Sequence, residues 1–377
     1  MSGIYIHIPF CKQACHYCNF HFSTTFEKYR QQMIDAICRE IFLRKDFFST
    51  SKTSIQSVYF GGGTPSILTP GEFNQIWHTL QTHFDLNRVR EVTLEANPDD
   101  MDDAFFQFLA ETEIDRLSIG VQSFDNLDLA YLNRVHDAGH ALESIQKAIR
   151  SGIEKISTDL IFGIPTSGIA RLDKDVRTLA DIGVTHISAY ALTVEPQTAL
   201  YSLIKKKKVR PVNEAKSAEE MSWMMTALPA LGFEQYETSN YAVPGFEAIH
   251  NSSYWHDVPY LGIGPSAHSY NKPVRSWNIS NNMSYIQSLD KDILPQESEL
   301  LTAHERYEEW VMTKLRLREG INGRLLESEF GAKVYENFLT AINPFIKNHS
   351  VEKIQDSFVL TRSGKLITDY ITRELFL

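Results

Sequence analysis

Cysteine is scarce in this chain, four among 377 residues, and three of the four stand together at Cys11, Cys15 and Cys18. That scarcity excludes a disulfide-stapled fold and suits a reducing cytoplasm. The fourth, Cys38, shares a helical stripe with Met33, Ile37 and Ile41 and reads as an ordinary buried helix residue. Long apolar runs are also missing, so no transmembrane segment is expected. Basic charge is in deficit: Lys and Arg total 37 against 47 Asp and Glu, a net charge of −10, which argues against nucleic acid as a partner. The run Lys205–Lys208 reads as a solvated helix end. There is no low-complexity tract and no internal repeat. Met1-Ser2-Gly3 leads straight into strand-like sequence, leaving no room for a cleaved signal.

What is present is an alternation of short β-rich runs with longer helical patterns. Strands are expected at Ile4–Ile8, Ile55–Phe60, Val92–Glu95, Arg116–Val121, Ile156–Ile161 and His186–Leu192. Helices are expected between them, at Tyr29–Arg44, Glu72–His83, Ala104–Glu111, Ala141–Ser151 and Leu172–Ile182, and after them at Ala215–Leu231. Repeated strand–helix–strand order predicts an α/β fold with a parallel sheet, an incomplete (β/α)6-type barrel over residues 1–235. An open doubly wound sheet is the competing arrangement. Residues 236–295, rich in Asn, Ser, Tyr, Pro and Gly, read as an irregular connecting segment. Residues 296–377 read as a smaller helical domain with a hairpin at Val351–Ile354 and Ser357–Leu360, in the manner of a winged helix serving as lid or packing unit.

The C-x3-C-x2-C spacing offers three soft thiolates to one centre and no fourth. A [4Fe-4S] cluster held in this way keeps one iron without a protein ligand. Structural zinc is the alternative, with His7 or His16 completing a Cys3His set.

In a parallel barrel the residues that follow the strands share one face, and this chain's unusual residues fall there repeatedly. Strand one leads into the cysteines, strand two into Gly61-Gly62-Gly63-Thr64-Pro65, and strand three into Glu95-Ala96-Asn97-Pro98. Strand four leads into Gly120-Val121-Gln122-Ser123-Phe124, and strand five carries Asp159. Glycine lets backbone approach a ligand closely, so the triplet's amides and carbonyls are candidates to hold the polar end of an amino acid. Glu95 suits an ammonium group, Asp159 and Gln122 suit ribose hydroxyls, and the planar fork of Arg134 suits a carboxylate. Each of these also fits a helix cap, a tight turn or a surface ion pair.

Tyr-Ile-His-Ile-Pro-Phe-Cys at 5–11, the Gly-Gly-Gly-Thr-Pro turn, Gly-Val-Gln-Ser-Phe and Asp-Leu-Ile-Phe-Gly-Ile-Pro resemble the radical SAM superfamily, and within it the oxygen-independent coproporphyrinogen III oxidase-like family. The resemblance spans nearly the whole chain. It implies that Cys11, Cys15 and Cys18 hold a [4Fe-4S] cluster, and that Tyr5, Tyr17, Gly62, Gly63, Thr64, Glu95, Gln122, Arg134 and Asp159 line S-adenosylmethionine. It also implies an external electron donor, whose electron breaks the sulfonium bond to give methionine and a 5′-deoxyadenosyl radical.

Two groups within that family look alike. The oxidases, which decarboxylate coproporphyrinogen, carry a further cysteine where this chain has Phe20, and a longer segment ahead of the cluster. His250-Asn251-Ser252-Ser253-Tyr254-Trp255 is instead similar to the H-N-x-x-Y-W motif of HemW-type haem chaperones. That likeness implies haem as cargo, His250 as its axial ligand with His256 and His268 in reserve, and recipient haem proteins as partners. Homodimerisation and peripheral membrane contact are compatible with it. The remaining reading is a zinc-stabilised binding module whose tail contacts RNA.

Overall fold

The computed structural model describes residues 1–49 and 53–377. All six expected strands form: β1 (Ser2–Ile8), β2 (Ile55–Gly62), β3 (Glu91–Ala96), β4 (Arg116–Gln122), β5 (Lys155–Phe162) and β6 (His186–Ala191). Each is parallel to the next. The helices between them are α1 (Arg30–Leu43), α2 (Pro70–His83), α3 (Asp103–Leu109), α4 (Asn126–Leu132), α5 (Ala138–Arg150) and α6 (Ile169–Ile182). Period-two alternation makes the sheet two-sided. In β1, Ile4, Ile6 and Ile8 are wholly buried in the apolar core, while Tyr5 and His7 point to the concave face, where Tyr5 stacks on Tyr59 of β2. Short α4 was not expected, and α7 (Ala199–Lys205) beyond β6 was expected only through its lysine-rich end. Lys205 ends α7 and Lys206, Lys207 and Lys208 are exposed, a solvated helix end.

Beyond α8 (Glu214–Ala230) and β7 (Glu234–Gln235) the expectation of an irregular stretch needs correction. Residues 236–295 contain β8 (Asn240–Ala242), α9 (Ile249–Trp255), β9 (Tyr260–Ile263), β10 (His268–Asn271), β11 (Val274–Asn278) and α10 (Asn282–Leu289). Strand β9 pairs in parallel with the free edge of β1, and β10 and β11 form a hairpin beside it. With β12 (Gln296–Leu300) the order is β12-β11-β10-β9-β1-β2-β3-β4-β5-β6-β8-β7, a curved sheet whose ends do not meet. Antiparallel strands cap both flanks, which blunts exposed sheet edges.

Helix α9 plugs the end of the barrel at which the strands begin. Glu91 accepts hydrogen bonds from the amides of Ile249 (3.0 Å) and His250 (2.9 Å), at the first turn of α9. The same carboxylate pairs with Arg116 at 2.9 Å, and both side chains are buried. Arg116 reaches on to the Phe246 carbonyl. Breaking such a buried pair by removing one partner costs about 3–5 kcal/mol, so this plug is strongly held.

The tail has its own apolar core, built on Tyr307, Val311, Phe338, Ile342 and Phe358. Its elements are α11 (Ala303–Leu315), β13 (Ile321–Asn322), α12 (Gly323–Phe330), α13 (Ala332–Lys347), β14 (Val351–Ile354), β15 (Ser357–Leu360), α14 (Arg362–Lys365) and α15 (Thr368–Glu374). The hairpin β14–β15 matches the expected residues, with β13 added to its edge. Lys314 donates to the Trp255 carbonyl at 2.7 Å, and Lys365 to Gln235 at 2.7 Å, docking the tail on helix α9 and on edge strand β7.

Candidate functional site

The loop after β1 is closed at its base by Cys11 N to the Ser23 carbonyl (3.1 Å) and Ser23 N to the Pro9 carbonyl (2.9 Å). Its crest is tied to the turn after α4: Asn133 donates to the Ala14 carbonyl at 2.8 Å and Gln13 to the Asn133 carbonyl at 2.9 Å. Asn133 terminates α4 in the left-handed conformation, φ 61°, which its short polar side chain tolerates. That turn delivers Arg134 to the loop. The guanidinium donates to Cys15 Sγ (3.3 Å), to Asn97 Oδ1 (2.5 Å) and to the Gly120 carbonyl (2.8 Å). Thr64 Oγ1 donates to Cys11 Sγ at 3.3 Å. The three thiols thus sit at the end of the barrel opposite the α9 plug, above the ends of β2, β3 and β4.

Burial pushes the Cys11 thiol up to about 12 and the Cys18 thiol up to about 11. Such thiols stay protonated in an apolar setting unless a metal's positive charge draws the proton off. Among the described residues no three His, Cys, Asp or Glu side chains converge as they would on a single ion. Three thiolates that each face a different iron of one cube need no such convergence. A zinc site would also require the expected histidines. His7 has one ring nitrogen on the His21 carbonyl (2.8 Å) and the other on the Tyr5 hydroxyl (3.2 Å), and burial lowers it to about 4. His16 has Nδ1 on the Tyr131 carbonyl at 3.0 Å.

The glycine turn is a close-approach element, but not as expected. The amides of Gly62, Gly63 and Thr64 are already engaged, by Glu95 (3.0 Å), the Ile8 carbonyl (2.9 Å) and the Phe10 carbonyl (2.7 Å). They bind the chain to itself, which corrects the expectation of free amides for a ligand. A side chain at Gly62, φ 104°, would sit 2.4 Å from the His7 ring, and one at Gly63 2.5 Å from the Phe10 carbonyl oxygen. The glycines therefore let β2 pass directly under the cysteine loop.

Below the cysteines, the concave face carries Glu95, Gln122, Asp159 and Tyr17. Glu95 accepts from the Tyr59 hydroxyl at 2.7 Å as well as from Gly62 N. Burial raises it to about 7, with the charge of Asp159 adding to the rise. Burial likewise raises Asp159 to about 6, against hydrogen bonds from Ser188 and Ser118 and the pull of Arg134. Burial also raises Tyr17, beside Arg134, Cys15 and Cys18. Gln122 holds a positive φ of 69° where the pairing of β4 with β5 shifts register, a backbone costing about 1 kcal/mol or more that persists only where surroundings enforce it. One donor here lacks a partner: Arg134 Nε is buried and unsatisfied. Two half-buried carboxylates, an orphaned cationic donor and three thiols above them fit a ligand that carries an ammonium, a carboxylate and hydroxyls. Asn97 and Tyr59 belong to the same network and were not among the expected ligand residues.

His250 lies elsewhere. It is buried in the plug, with Nδ1 on Ser57 Oγ (2.9 Å), Nε2 on the Tyr254 hydroxyl (2.9 Å), and its ring stacked on Tyr59 at 5.0 Å. Burial lowers it to about 3. Neither nitrogen is free for iron, which corrects the expectation of an open axial ligand; His250 instead braces Tyr59, and through it Glu95. His256 is exposed, with Nδ1 on the Ser252 carbonyl. His268 is also exposed, on β10.

An open parallel barrel with three thiols at the mouth and a polar cradle beneath defines a radical SAM protein. Accordingly, the Radical SAM superfamily profile matches residues 5–179, and the HemN C-terminal domain profile matches 301–367. Along nearly its whole length the chain is 30% identical to the Heme chaperone HemW of Bacillus subtilis (97% of each chain). It is 32% identical to that of Mycobacterium tuberculosis (99% of this chain, 94% of the other). The chain belongs to the HemW family. In fold it superposes on the coproporphyrinogen III oxidase HemN of Escherichia coli with a TM-score of 0.85 at 20% identity, covering 100% of this chain and 90% of that one. Radical SAM membership implies a [4Fe-4S] cluster and S-adenosylmethionine. Among the described residues no helix is long and apolar enough to cross a membrane.

Proposed function

We propose that this protein takes up haem and hands it to a recipient haem protein in the cytosol, using a [4Fe-4S] cluster on Cys11, Cys15 and Cys18. In this reading S-adenosylmethionine lies over Glu95, Gln122, Arg134 and Asp159, with Tyr5, Tyr17, Gly62, Gly63 and Thr64 shaping its pocket. Glu95 orients the ammonium group and Arg134 holds the carboxylate while buttressing Cys15. The bound cofactor supplies one-electron cleavage chemistry; the protein residues bind, orient and exclude water. We assign this work to residues 1–235, with 236–295 completing the sheet and 296–377 docked on its flanks.

One observation carries the choice of haem over porphyrinogen decarboxylation. Where the oxidase pattern calls for a further cysteine, the loop presents Phe20, 66% exposed, on the wall of a cavity of about 400 Å³. A phenyl ring offers a porphyrin face a flat apolar surface and offers no thiol chemistry. The names of the full-length relatives support the same reading. The test is to load the protein with haem, mix it with an apo-haem protein and follow reconstitution of that recipient, with coproporphyrinogen turnover assayed alongside. Haem transfer without decarboxylation is expected. Conversion of coproporphyrinogen under reducing conditions would overturn the proposal.

A further inference from the structure

The cavity of about 400 Å³ beside the cysteine loop has a size typical of small-molecule sites, which run to roughly 300–1,000 Å³. Its wall is mostly aromatic: Tyr5 from β1, Phe20 from the cysteine loop, Tyr254 from α9 and Tyr260 from β9. Only Phe20 among these rings is largely exposed, so the cavity presents one free ring edge and a floor of half-buried ones. Three histidines also line it, and His7 has both nitrogens engaged, by Tyr5 and the His21 carbonyl. His21 already has Nε2 on Asn282 Oδ1 at 2.7 Å. His268 is different: it is exposed, its ring stacks on Trp277 at 6.0 Å, and among the described residues neither of its nitrogens has a hydrogen-bond partner.

An imidazole backed by an indole and with a nitrogen free can ligate a metal directly; one with both nitrogens engaged must first break a hydrogen bond. For His250 to bind iron it would have to give up one of these partners, the Tyr254 hydroxyl at Nε2 or the Ser57 hydroxyl at Nδ1, and a group so stranded in the plug costs about 1–3 kcal/mol. Resting on the haem-transfer reading above, we propose that haem is seated in this cavity with His268, not the histidine of the H-N-x-x-Y-W motif, as its axial ligand, and with Phe20 and Tyr254 against the porphyrin. The motif then serves the site indirectly: Tyr254 contributes one wall, while His250 fastens the plug that carries it.

Titration of the full-length, cluster-reconstituted protein with haem, followed in the Soret region, tests this. His268→Ala should weaken haem binding at least tenfold and shift the Soret band away from its histidine-ligated position, and added imidazole should restore that position. His250→Gln and the exposed control His256→Ala should keep the wild-type band. Cluster iron content and far-UV circular dichroism report whether each variant has folded. His268→Ala with wild-type affinity and band, or loss of the band only in a folded His250→Gln, overturns the ligand assignment and leaves haem transfer standing. A wild-type protein that takes up no haem overturns both.

Discussion

Serine in place of Cys15 is expected to leave the protein folded and almost without iron. Cys15 is half-exposed, on a loop anchored by backbone contacts of its neighbours rather than by its own side chain. The substitution therefore removes a soft ligand and little packing. A hydroxyl is a poor substitute for thiolate at iron, and with two thiols left no cluster of this type is retained. The single contact disturbed is the 3.3 Å hydrogen bond from Arg134, whose other anchors, Asn97 and Gly120, remain. Iron and labile sulfide measured after anaerobic reconstitution should fall from about four of each per chain, the content of one cubane cluster, to near background. The far-UV circular dichroism should match that of the cluster-free wild type. Cys38, half-buried on α1 with its thiol at 3.7 Å from the Gln75 carbonyl, is the internal control, and Cys38→Ser should keep its iron. Full iron retention in Cys15→Ser would remove the basis for the site.

Glu95→Gln is expected to weaken S-adenosylmethionine binding by roughly ten- to a hundredfold, the loss of one hydrogen bond to a charged group worth about 1.5–3 kcal/mol. The substitution is nearly isosteric: the amide oxygen can keep the Gly62 amide at the Oε2 position, while the amide nitrogen at the Oε1 position donates to the Tyr59 hydroxyl, so the fold should hold. The pH dependence separates charge from shape. Burial holds the Glu95 carboxyl up at about 7, so below that pH the proton competes with the ligand's ammonium group. Wild-type affinity should fall as pH drops through about 7, whereas Glu95→Gln should be weak and nearly flat across the same range. Equilibrium dialysis with labelled S-adenosylmethionine between pH 6 and 8.5 (values chosen to bracket roughly the neutral range) reads both. A variant that binds as tightly as wild type would release Glu95 from its proposed role.

The central parallel strands were legible because short runs rich in β-branched and aromatic residues alternate with polar ones between helical patterns, as in Ile4–Ile8 and Ile156–Ile161. The cysteine trio was legible from spacing alone. What was not legible depended on non-local pairing or on orientation. Strands β8 to β11 are three to five residues long, interrupted by Gly, Pro and Asn, and are stabilised by the edges of β1 and β6, which local pattern does not reveal. Helices α4 and α7, seven residues each, are too short to show a full amphipathic repeat. The glycine turn was located correctly, but only its packing beneath the cysteine loop shows that its amides are occupied. The H-N-x-x-Y-W motif was equally visible, yet sequence cannot say whether the nitrogens of a histidine are free. At His250 they are bound to Ser57 and Tyr254, and at His268, which no motif marks, they have no partner among the described residues. Asn97 escaped notice because an asparagine after a strand has many ordinary uses; only Arg134, 37 residues on, gives it a role.

The most direct measurement is the electron paramagnetic resonance spectrum of the reduced, reconstituted protein with and without excess S-adenosylmethionine. If three thiolates leave one iron of the cluster open beneath the loop, the added cofactor reaches that iron and the spectrum changes, and it fails to change in Cys15→Ser because no cluster signal is present. A wild-type spectrum that is identical in both conditions, at cofactor concentrations where binding is independently saturated, would contradict the account.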